Sequence, residues 1–263
     1  MAGVSDYRVV VLTCDAYWEA VRVFAWTFRK YWSVDQRVVI GGFAPPPFDL
    51  PQNFQFISIG RQEDYPIQKY SSGLIQFLNL IRDDVFVLMP DDFWLKDQTH
   101  LANVQTAVDL ALEIPYLLRI DLIRDRDYTN LDLRGARDTF AVRNGLEFIK
   151  SDAQMPYQMS LAPSVFRRRM LLEVLRDNWT PWETETVCTA YLHEQGESIL
   201  VLGTRQEEVH CCNGLAQDGG KYKRGIMGIK GANAQPTGLR IEDQNEMTQL
   251  GILDLNRLMA GAI

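Results

Sequence analysis

Short β-branched strands alternate with amphipathic helices over the first 120 residues, and this alternation constrains the fold most strongly. Strand patterns occupy residues 7–13, 37–41, 54–59, 85–89 and 116–120. Helical apolar spacing occupies residues 17–32, 67–81 and 99–112. Strands that alternate with helices form mostly parallel sheets whose two faces are covered by those helices. The sequence therefore predicts an α/β fold with a mostly parallel central sheet and helices on both faces.

The second half of the chain is less regular. Residues 121–156 are polar and rich in Arg and Asp, and are predicted to form loops or an excursion over the sheet. Further predicted elements are a strand at 158–161, a helix beginning at Pro163, a helix after Pro181, strands at 199–202 and 208–212, and a closing helix at 241–259. Seven glycines and no apolar period between residues 213 and 240 favour a long mobile loop. Without a repeat or a low-complexity linker, residues 1–263 are predicted to form a single domain.

Composition excludes several classes of protein. The chain is 46% hydrophobic and 23% charged, which is globular composition, and its net charge of −7 argues against indiscriminate nucleic-acid binding. Its most apolar segment, residues 85–95, is interrupted by two aspartates, whereas a membrane-spanning helix needs about 18 consecutive apolar residues. The first residues lack a signal-peptide pattern, so we expect a cytoplasmic protein whose four cysteines are thiols.

The sharpest chemical feature is a carboxylate pair, Asp91 and Asp92, directly after the apolar strand at 85–89. Ligands bind outside the carboxyl ends of strands in open α/β sheets, so this pair stands where a site is expected. Adjacent carboxylates repel each other unless a cation lies beside them. Mg²⁺ or Mn²⁺ accepts one or two carboxylates and completes its coordination with water and phosphate oxygens. The alternative is an Asp-rich turn that follows a strand.

Several segments together resemble a known enzyme family. They are a T-x-D turn at 13–15 followed by a long aromatic helix, K-Y-S at 69–71, P-D-D-F-W-L at 90–95, S-L-A-P at 160–163 and P-W-E-T-E at 181–185. In this order they are similar to the nucleotide-sugar-dependent glycosyltransferases of the GT-A fold, in particular to bacterial and phage sequences with D-D-F/Y and P-W-E-x-E segments. The resemblance covers roughly residues 7–215 and implies a GT-A-like, Rossmann-like fold. It also implies that residues 1–120 bind the nucleotide sugar and that residues 121–263 bind the acceptor.

The resemblance implies roles for residues near the donor nucleotide. Asp92 would coordinate Mn²⁺ or Mg²⁺ and Asp91 would contact the sugar or ribose, although Pro90 stands where a full D-x-D motif has its first aspartate. Thr13 and Asp15 would hold the base and ribose. The segment packed near the nucleotide would be Lys69, Tyr70 and Ser71. Asp15 as a helix cap and Tyr70 as a core residue are the structural alternatives.

Transfer with inversion at the anomeric carbon, which is favoured over retention, needs a general base. Glu183 and Glu185 follow Pro181 at a helix start, and Glu183 is the preferred candidate, with helix-end electrostatics as the alternative. His210 is a candidate second metal ligand. Lys221 lies in the glycine-rich segment, where a cationic loop is expected to neutralise the leaving diphosphate.

These expectations together describe a metal-dependent glycosyltransferase, a hexosyl- or pentosyltransferase, that moves a sugar from a nucleoside-diphosphate sugar, preferably a UDP-sugar, to a hydroxyl acceptor on a glycan or small molecule. Arginines concentrated between residues 119 and 143 leave open an alternative acceptor, a hydroxymethylated base in DNA. A second alternative is a non-catalytic protein that binds sugar nucleotides.

Overall fold

The computed structural model of the protein describes residues 7–123, 138–150, 152–213, 217–218, 221–222 and 239–254. The α-helices in this part of the chain are α1 (Trp18–Tyr31), α2 (Tyr70–Leu80), α3 (Leu101–Glu113), α4 (Arg168–Val174), α5 (Pro181–Gln195) and α6 (Ile241–Gln249). The first strands are β1 (Val9–Leu12), β2 (Val38–Gly42), β3 (Phe54–Ser58), β4 (Val85–Leu88), β5 (Phe93–Leu95) and β6 (Leu117–Asp121). The later strands are β7 (Asp138–Arg143), β8 (Leu146–Lys150), β9 (Ser164–Arg167), β10 (Leu200–Thr204), β11 (Cys211–Asn213), β12 (Gln217–Asp218) and β13 (Lys221–Tyr222).

Nine strands form the central sheet, in the order β3-β2-β1-β4-β9-β6-β10-β8-β7. Strands β3, β2, β1 and β4 are parallel neighbours, and β6 pairs in parallel with β10. Strand β9 is antiparallel to both β4 and β6, and β8 is antiparallel to β10 and β7. Seven of the nine strands therefore run in one direction, so the predicted mostly parallel sheet is confirmed.

The two faces of the sheet bury separate apolar clusters. On one face, Val9 and Val11 of β1 pack with α1 and α3 through side chains such as Phe24 and Val104. On the other face, the intervening Val10 belongs to a cluster that includes α2, α4 and α5. Successive strand residues point to opposite faces, so a strand buried on both sides has to be apolar throughout. Both predicted helical layers are present.

One glycine permits helix α2 to lie close to the sheet. A Cβ atom on Gly41 of β2 would sit 2.6 Å from Cγ of Phe77 in α2. Phe77 is fully buried, so its ring has no room to retreat. A residue larger than glycine at position 41 would therefore push α2 away from β2.

Three predictions about the second half were wrong. Residues 158–161 are not a strand, and the segment after Pro163 does not begin a helix, because Ser164–Arg167 forms β9 between β4 and β6 and α4 starts only at Arg168. Residues 138–150, predicted as loops or an excursion over the sheet, instead extend the sheet at its edge as the hairpin β7–β8. Its turn, Asn144-Gly145, has positive φ at both residues, which is the conformation that an Asn-Gly hairpin turn requires.

The predicted closing helix is shorter than expected within the described residues. Helix α6 ends at Gln249, and Gly251 follows with φ of +67°. It is held against α1 by Asp243, which is buried and accepts hydrogen bonds from the Tyr31 hydroxyl (2.6 Å) and Lys30 Nζ (2.8 Å). The glycine-rich segment predicted as a mobile loop lies mostly outside the described residues.

Candidate functional site

The carboxyl ends of β1 and β4 bring Thr13 and Asp91 together. The two strands are parallel neighbours, and Met89 N–H donates to the Val10 carbonyl at 3.0 Å. One residue past β1, the Thr13 hydroxyl donates a 2.7 Å hydrogen bond to Oδ2 of Asp91, and both side chains are buried. The strand order reverses direction here, because the chain runs from β1 outward to β3 and then returns to the other side of β1 as β4. Such a switch point is where open α/β sheets bind ligands.

Both carboxyl groups of the pair are harder to ionise than usual. Burial raises the pKa of Asp91 to about 7, although the Thr13 hydroxyl and backbone N–H groups act in the opposite direction. Burial and the neighbouring Asp91 raise the pKa of Asp92 well above its usual value. Desolvation and like-charge repulsion both disfavour the second negative charge. A divalent cation at this position would reverse that balance.

Tyr70 lies among three acidic side chains, Asp91, Asp92 and Glu185, that come from two other elements of the chain. Tyr70 is the first residue of α2 and is half-buried. Its pKa is raised by burial and, beyond that, by the charges of Asp91, Glu185 and Asp92, so its hydroxyl stays protonated among three acidic groups. Glu185 lies in α5, and its Oε1 accepts a 2.7 Å hydrogen bond from the Leu161 N–H. Four of the predicted site residues therefore converge here: Tyr70, Asp91, Asp92 and Glu185.

Glu183, the preferred candidate for the general base in the sequence analysis, caps the start of α5. Its Oε2 accepts hydrogen bonds from the Thr180 N–H and hydroxyl, both at 2.9 Å, and its own N–H donates to Thr180 Oγ1 at 3.2 Å. This is a capping box at the start of α5. The hydrogen bonds from Thr180 lower the pKa of Glu183. The exposed Glu183 is thus held as an anion at the helix end, whereas Glu185, two residues further along, is half-buried and bonded to the Leu161 N–H.

Of three other predicted donor-site residues, two have structural partners and the third is exposed. Asp15 is exposed, and its Oδ1 accepts from the Ala44 N–H at 2.9 Å, which joins the chain after β1 to the chain after β2. Ser71 is fully buried; its Oγ accepts from the Trp179 N–H at 2.9 Å, so it fastens α2 to the segment before α5. Lys69 is exposed at the end of a short 3-10 helix.

The structure separates His210 from Asp92. Strand β11 pairs with β5 antiparallel, so that Asn213 lies opposite Phe93 while the His210 carbonyl accepts from the Lys96 N–H. The whole of β5 therefore lies between His210 and Asp92, a span of about 13 Å at about 3.3 Å per residue. His210 instead lies within 3.5 Å of Glu207 and packs against His100. The side chain of Lys221, the predicted diphosphate contact, lies outside the described residues.

The donor set at the carboxylate pair suits a hard divalent cation. Asp91 and Asp92 supply two carboxylates, and no group of three His, Cys, Asp or Glu side chains within the described ranges is arranged to hold a metal. Mg²⁺ and Mn²⁺ sites with one or two protein carboxylates are completed by water and substrate phosphate. The cysteines, all free thiols, suit a soft metal better. Cys14, beside the pair, has its pKa raised to about 12 by burial and by Asp91, so it remains a neutral thiol.

One buried polar residue near the site was not singled out by the sequence analysis. Arg119 in β6 is completely buried, and its Nη1 donates a 2.6 Å hydrogen bond to the Ser160 carbonyl, next to Leu161. The available signal was an arginine in the middle of a short strand, L-L-R-I-D, that is apolar except for this residue and the final aspartate. Arginines are almost never fully buried unless they are paired, so an arginine in a buried strand indicates a specific polar contact.

None of the helices in the described part of the chain combines the length and apolar character needed to cross a membrane.

No protein-family model and no curated protein sequence matches this chain. Solved structures that resemble it include an active-site mutant of LgtC, with 11% sequence identity over 74% of this chain and 72% of that one and a TM-score of 0.40. They also include TarS of S. aureus, with 13% identity and a TM-score of 0.45; the match covers 78% of this chain but only 36% of TarS. Both are GT-A-type glycosyltransferases. Both TM-scores are below one half, so these distant similarities assign no activity to the chain, whose function has to be argued from its own residues.

Proposed function

We propose that this chain is a metal-dependent glycosyltransferase that moves a sugar from a nucleoside-diphosphate sugar, preferably a UDP-sugar, to a hydroxyl acceptor. The observation that carries the proposal is the adjacent carboxylate pair, Asp91 and Asp92, at the strand switch point between β1 and β4. The T-x-D, P-D-D-F-W-L and P-W-E-T-E segments, which resemble GT-A glycosyltransferases, contribute residues to this one edge of the sheet. Carboxylates with a raised pKa at such an edge suit a cation and a diphosphate.

In this proposal Asp92 holds the metal ion. Asp91 is the more buried of the two and is already engaged by the Thr13 hydroxyl, whereas Asp92 is only half-buried. Mn²⁺ or Mg²⁺, when bound, would neutralise charge on the leaving diphosphate. Asp91, kept in place by Thr13, supports the geometry of Asp92 and contributes charge beside the ribose or sugar.

Glu185 is the proposed general base, in place of Glu183. A nucleophilic hydroxyl oxygen forms a bond to the anomeric carbon while the Glu185 carboxylate takes the hydroxyl proton and the diphosphate leaves with the electron pair of the broken bond. This single displacement inverts the anomeric centre. The Leu161 N–H fixes one carboxylate oxygen of Glu185, so the orientation of the base is set before the acceptor binds.

The structure adds no support to a DNA acceptor. That alternative depends on arginines between residues 119 and 143, of which Arg124, Arg126, Arg134 and Arg137 lie outside the described residues. Arg143 forms an ion pair with Glu113 at 2.9 Å, and Arg119 is buried. We propose a glycan or small-molecule hydroxyl as the acceptor, with a hydroxymethylated base in DNA as the alternative.

Release of UDP tests the proposal without knowledge of the acceptor. Purified protein is incubated with UDP-glucose, UDP-galactose or UDP-N-acetylglucosamine and Mn²⁺, with water taking the place of the acceptor. We expect UDP release that EDTA abolishes. Asp92→Asn should abolish it too, whereas Asp97→Asn, at an exposed carboxylate on the same segment, should retain it. Binding of the nucleotide sugar without turnover would indicate the non-catalytic alternative, and activity that EDTA leaves intact would contradict the metal requirement.

The two glutamates are compared in the same assay. Glu185→Gln removes the base and is expected to lower the rate by about two to four orders of magnitude. Glu183→Gln preserves the capping box, because glutamine also accepts from the cap residue, and should leave the rate nearly unchanged. The reverse pattern would return the assignment to Glu183.

A further inference from the structure

The carboxylate of Glu185 and the guanidinium of Arg119 are joined by a single peptide group. Arg119 Nη1 donates to the Ser160 carbonyl oxygen at 2.6 Å, and the Leu161 N–H donates to Glu185 Oε1 at 2.7 Å. The carbonyl of residue 160 and the N–H of residue 161 belong to the same planar amide. The chain therefore places a cation at one end of this amide and an anion at the other.

We propose that Arg119 is a positioning residue for the catalytic base, acting on Glu185 through the Ser160–Leu161 peptide. This inference rests on the proposed function, because it assigns a role relative to Glu185 as the base. A peptide whose carbonyl accepts from a cation is polarised, and its N–H becomes a stronger donor to an anion. Arg119 thereby strengthens the bond that orients Glu185, without itself reaching substrate.

Arg119 is buried together with an acidic partner, at a cost in desolvation. Arg119 is fully buried, forms an ion pair with the equally buried Asp121, and lies with Cζ 5.9 Å from the Phe166 ring centroid. Removing two charged side chains from water is costly, and apolar residues of similar volume often serve stability equally well at such positions. The pair therefore needs a reason other than stability, and the hydrogen bond from Nη1 of Arg119 to the Ser160 carbonyl supplies one.

A second anchor holds the same segment and offers a control. The Met159 N–H donates to Thr189 Oγ1 at 3.1 Å, one turn further along α5 from Glu185. Thr189 thus fastens the segment to α5 but does not touch the Ser160–Leu161 peptide in any contact described above. If Arg119 only kept the segment in place, loss of the Thr189 anchor would have a comparable effect on catalysis.

A double-mutant cycle separates the two roles. UDP release from UDP-sugar and Mn²⁺ is measured for the wild type, Arg119→Gln, Glu185→Gln and the double variant, with Thr189→Val as the control. We expect Arg119→Gln to lower kcat about tenfold with little change in KM for the donor, and Thr189→Val to change kcat less than twofold. In the Glu185→Gln background, Arg119→Gln should cost less than a further twofold, because no base remains to be oriented.

The outcomes distinguish this inference from the proposed function. Equal losses from Arg119→Gln in both backgrounds, with Glu185→Gln strongly impaired, would overturn the role of Arg119 and leave Glu185 as the base. A Glu185→Gln variant with wild-type kcat would overturn both. Should Arg119→Gln fail to fold because Asp121 is left unpaired, the cycle is run with Arg119→Gln and Asp121→Asn together, which removes both charges.

Discussion

Replacing Asp91 with asparagine is expected to stabilise the metal-free protein at neutral and higher pH. The Asp91 carboxyl is buried, and burial raises its pKa from the ordinary 3.8 to about 7. Ionisation above that pH therefore places a charge in a poorly solvated position beside Asp92. Asparagine keeps an oxygen that can accept the hydrogen bond from the Thr13 hydroxyl but carries no charge.

The sign and size follow from proton linkage. Between about pH 4 and pH 7 the native protein binds a proton at Asp91 that the unfolded chain has released, so the contribution of this group to the free energy of unfolding falls as pH rises. The gap between the two pKa values sets an upper limit of about 4 kcal/mol, at about 1.4 kcal/mol for each pH unit. We expect Asp91→Asn to match the wild type near pH 4 and to exceed it by about 1 to 4 kcal/mol at pH 8.

The measurement is urea unfolding in EDTA at several pH values between 4 and 8 for the wild type and Asp91→Asn. Subtracting the two curves removes the contributions of titrating groups far from Asp91. Asp92, whose pKa the Asp91 charge raises, adds to the difference in the same direction. Asp35→Asn, at an exposed carboxylate, serves as the control for the removal of one acidic side chain. A difference between the wild type and Asp91→Asn that stays constant from pH 4 to pH 8 would refute the raised pKa of Asp91.

Two further predictions concern packing and capping. Gly41→Ala would place a Cβ 2.6 Å from the Phe77 ring and should lower the free energy of unfolding by about 1 to 3 kcal/mol. Gly73→Ala, inside α2 with no contact closer than 3.6 Å, is the control and should be neutral or stabilising. Chemical denaturation compares the two variants, and equal stabilities would contradict the close approach of α2 to β2. Glu183→Ala breaks the capping box with Thr180 and should cost about 1 kcal/mol in the same measurement while UDP release stays near the wild-type rate. A loss of activity that exceeds the loss of folded protein would speak against a purely capping role.

Local periodicity was sufficient to predict the first half of the fold and the place of the carboxylate pair. β1 to β4 and α1 to α3 are each specified by residues close in sequence, and Asp91 follows a strand too apolar to lie anywhere but in the core. The carboxyl end of such a strand is a ligand site in most open sheets. The sequence alone therefore predicts a ligand site at Asp91 and Asp92.

The second half depended on tertiary context. The segment after Pro163 fits a helical apolar spacing as well as a strand, and only the gap between β4 and β6 selects β9. The β7–β8 hairpin carried a readable signal in Asn144-Gly145 that was outweighed by its polar surroundings. The T-x-x-E capping signature that begins at Thr180 was also visible in the sequence. It assigns a capping role to Glu183 and not to Glu185. The contact between Arg119 and the Ser160 carbonyl spans 41 positions and had no local signal.

The late insertion of β9 has a consequence for the order of folding. Strands β4 and β6 are not hydrogen-bonded to each other; β9, which follows β6 by some forty residues, fills the space between them. Until that strand arrives, the sheet has two unpaired edges at its centre and the apolar Phe86 lacks its partner Phe166. Long-range closure of this kind is slow and leaves strand edges open to other chains. A fragment that stops at residue 123 should therefore aggregate rather than fold as a nucleotide-binding unit. During synthesis, the edges of β4 and β6 are protected from pairing with other chains only after β9 has been made.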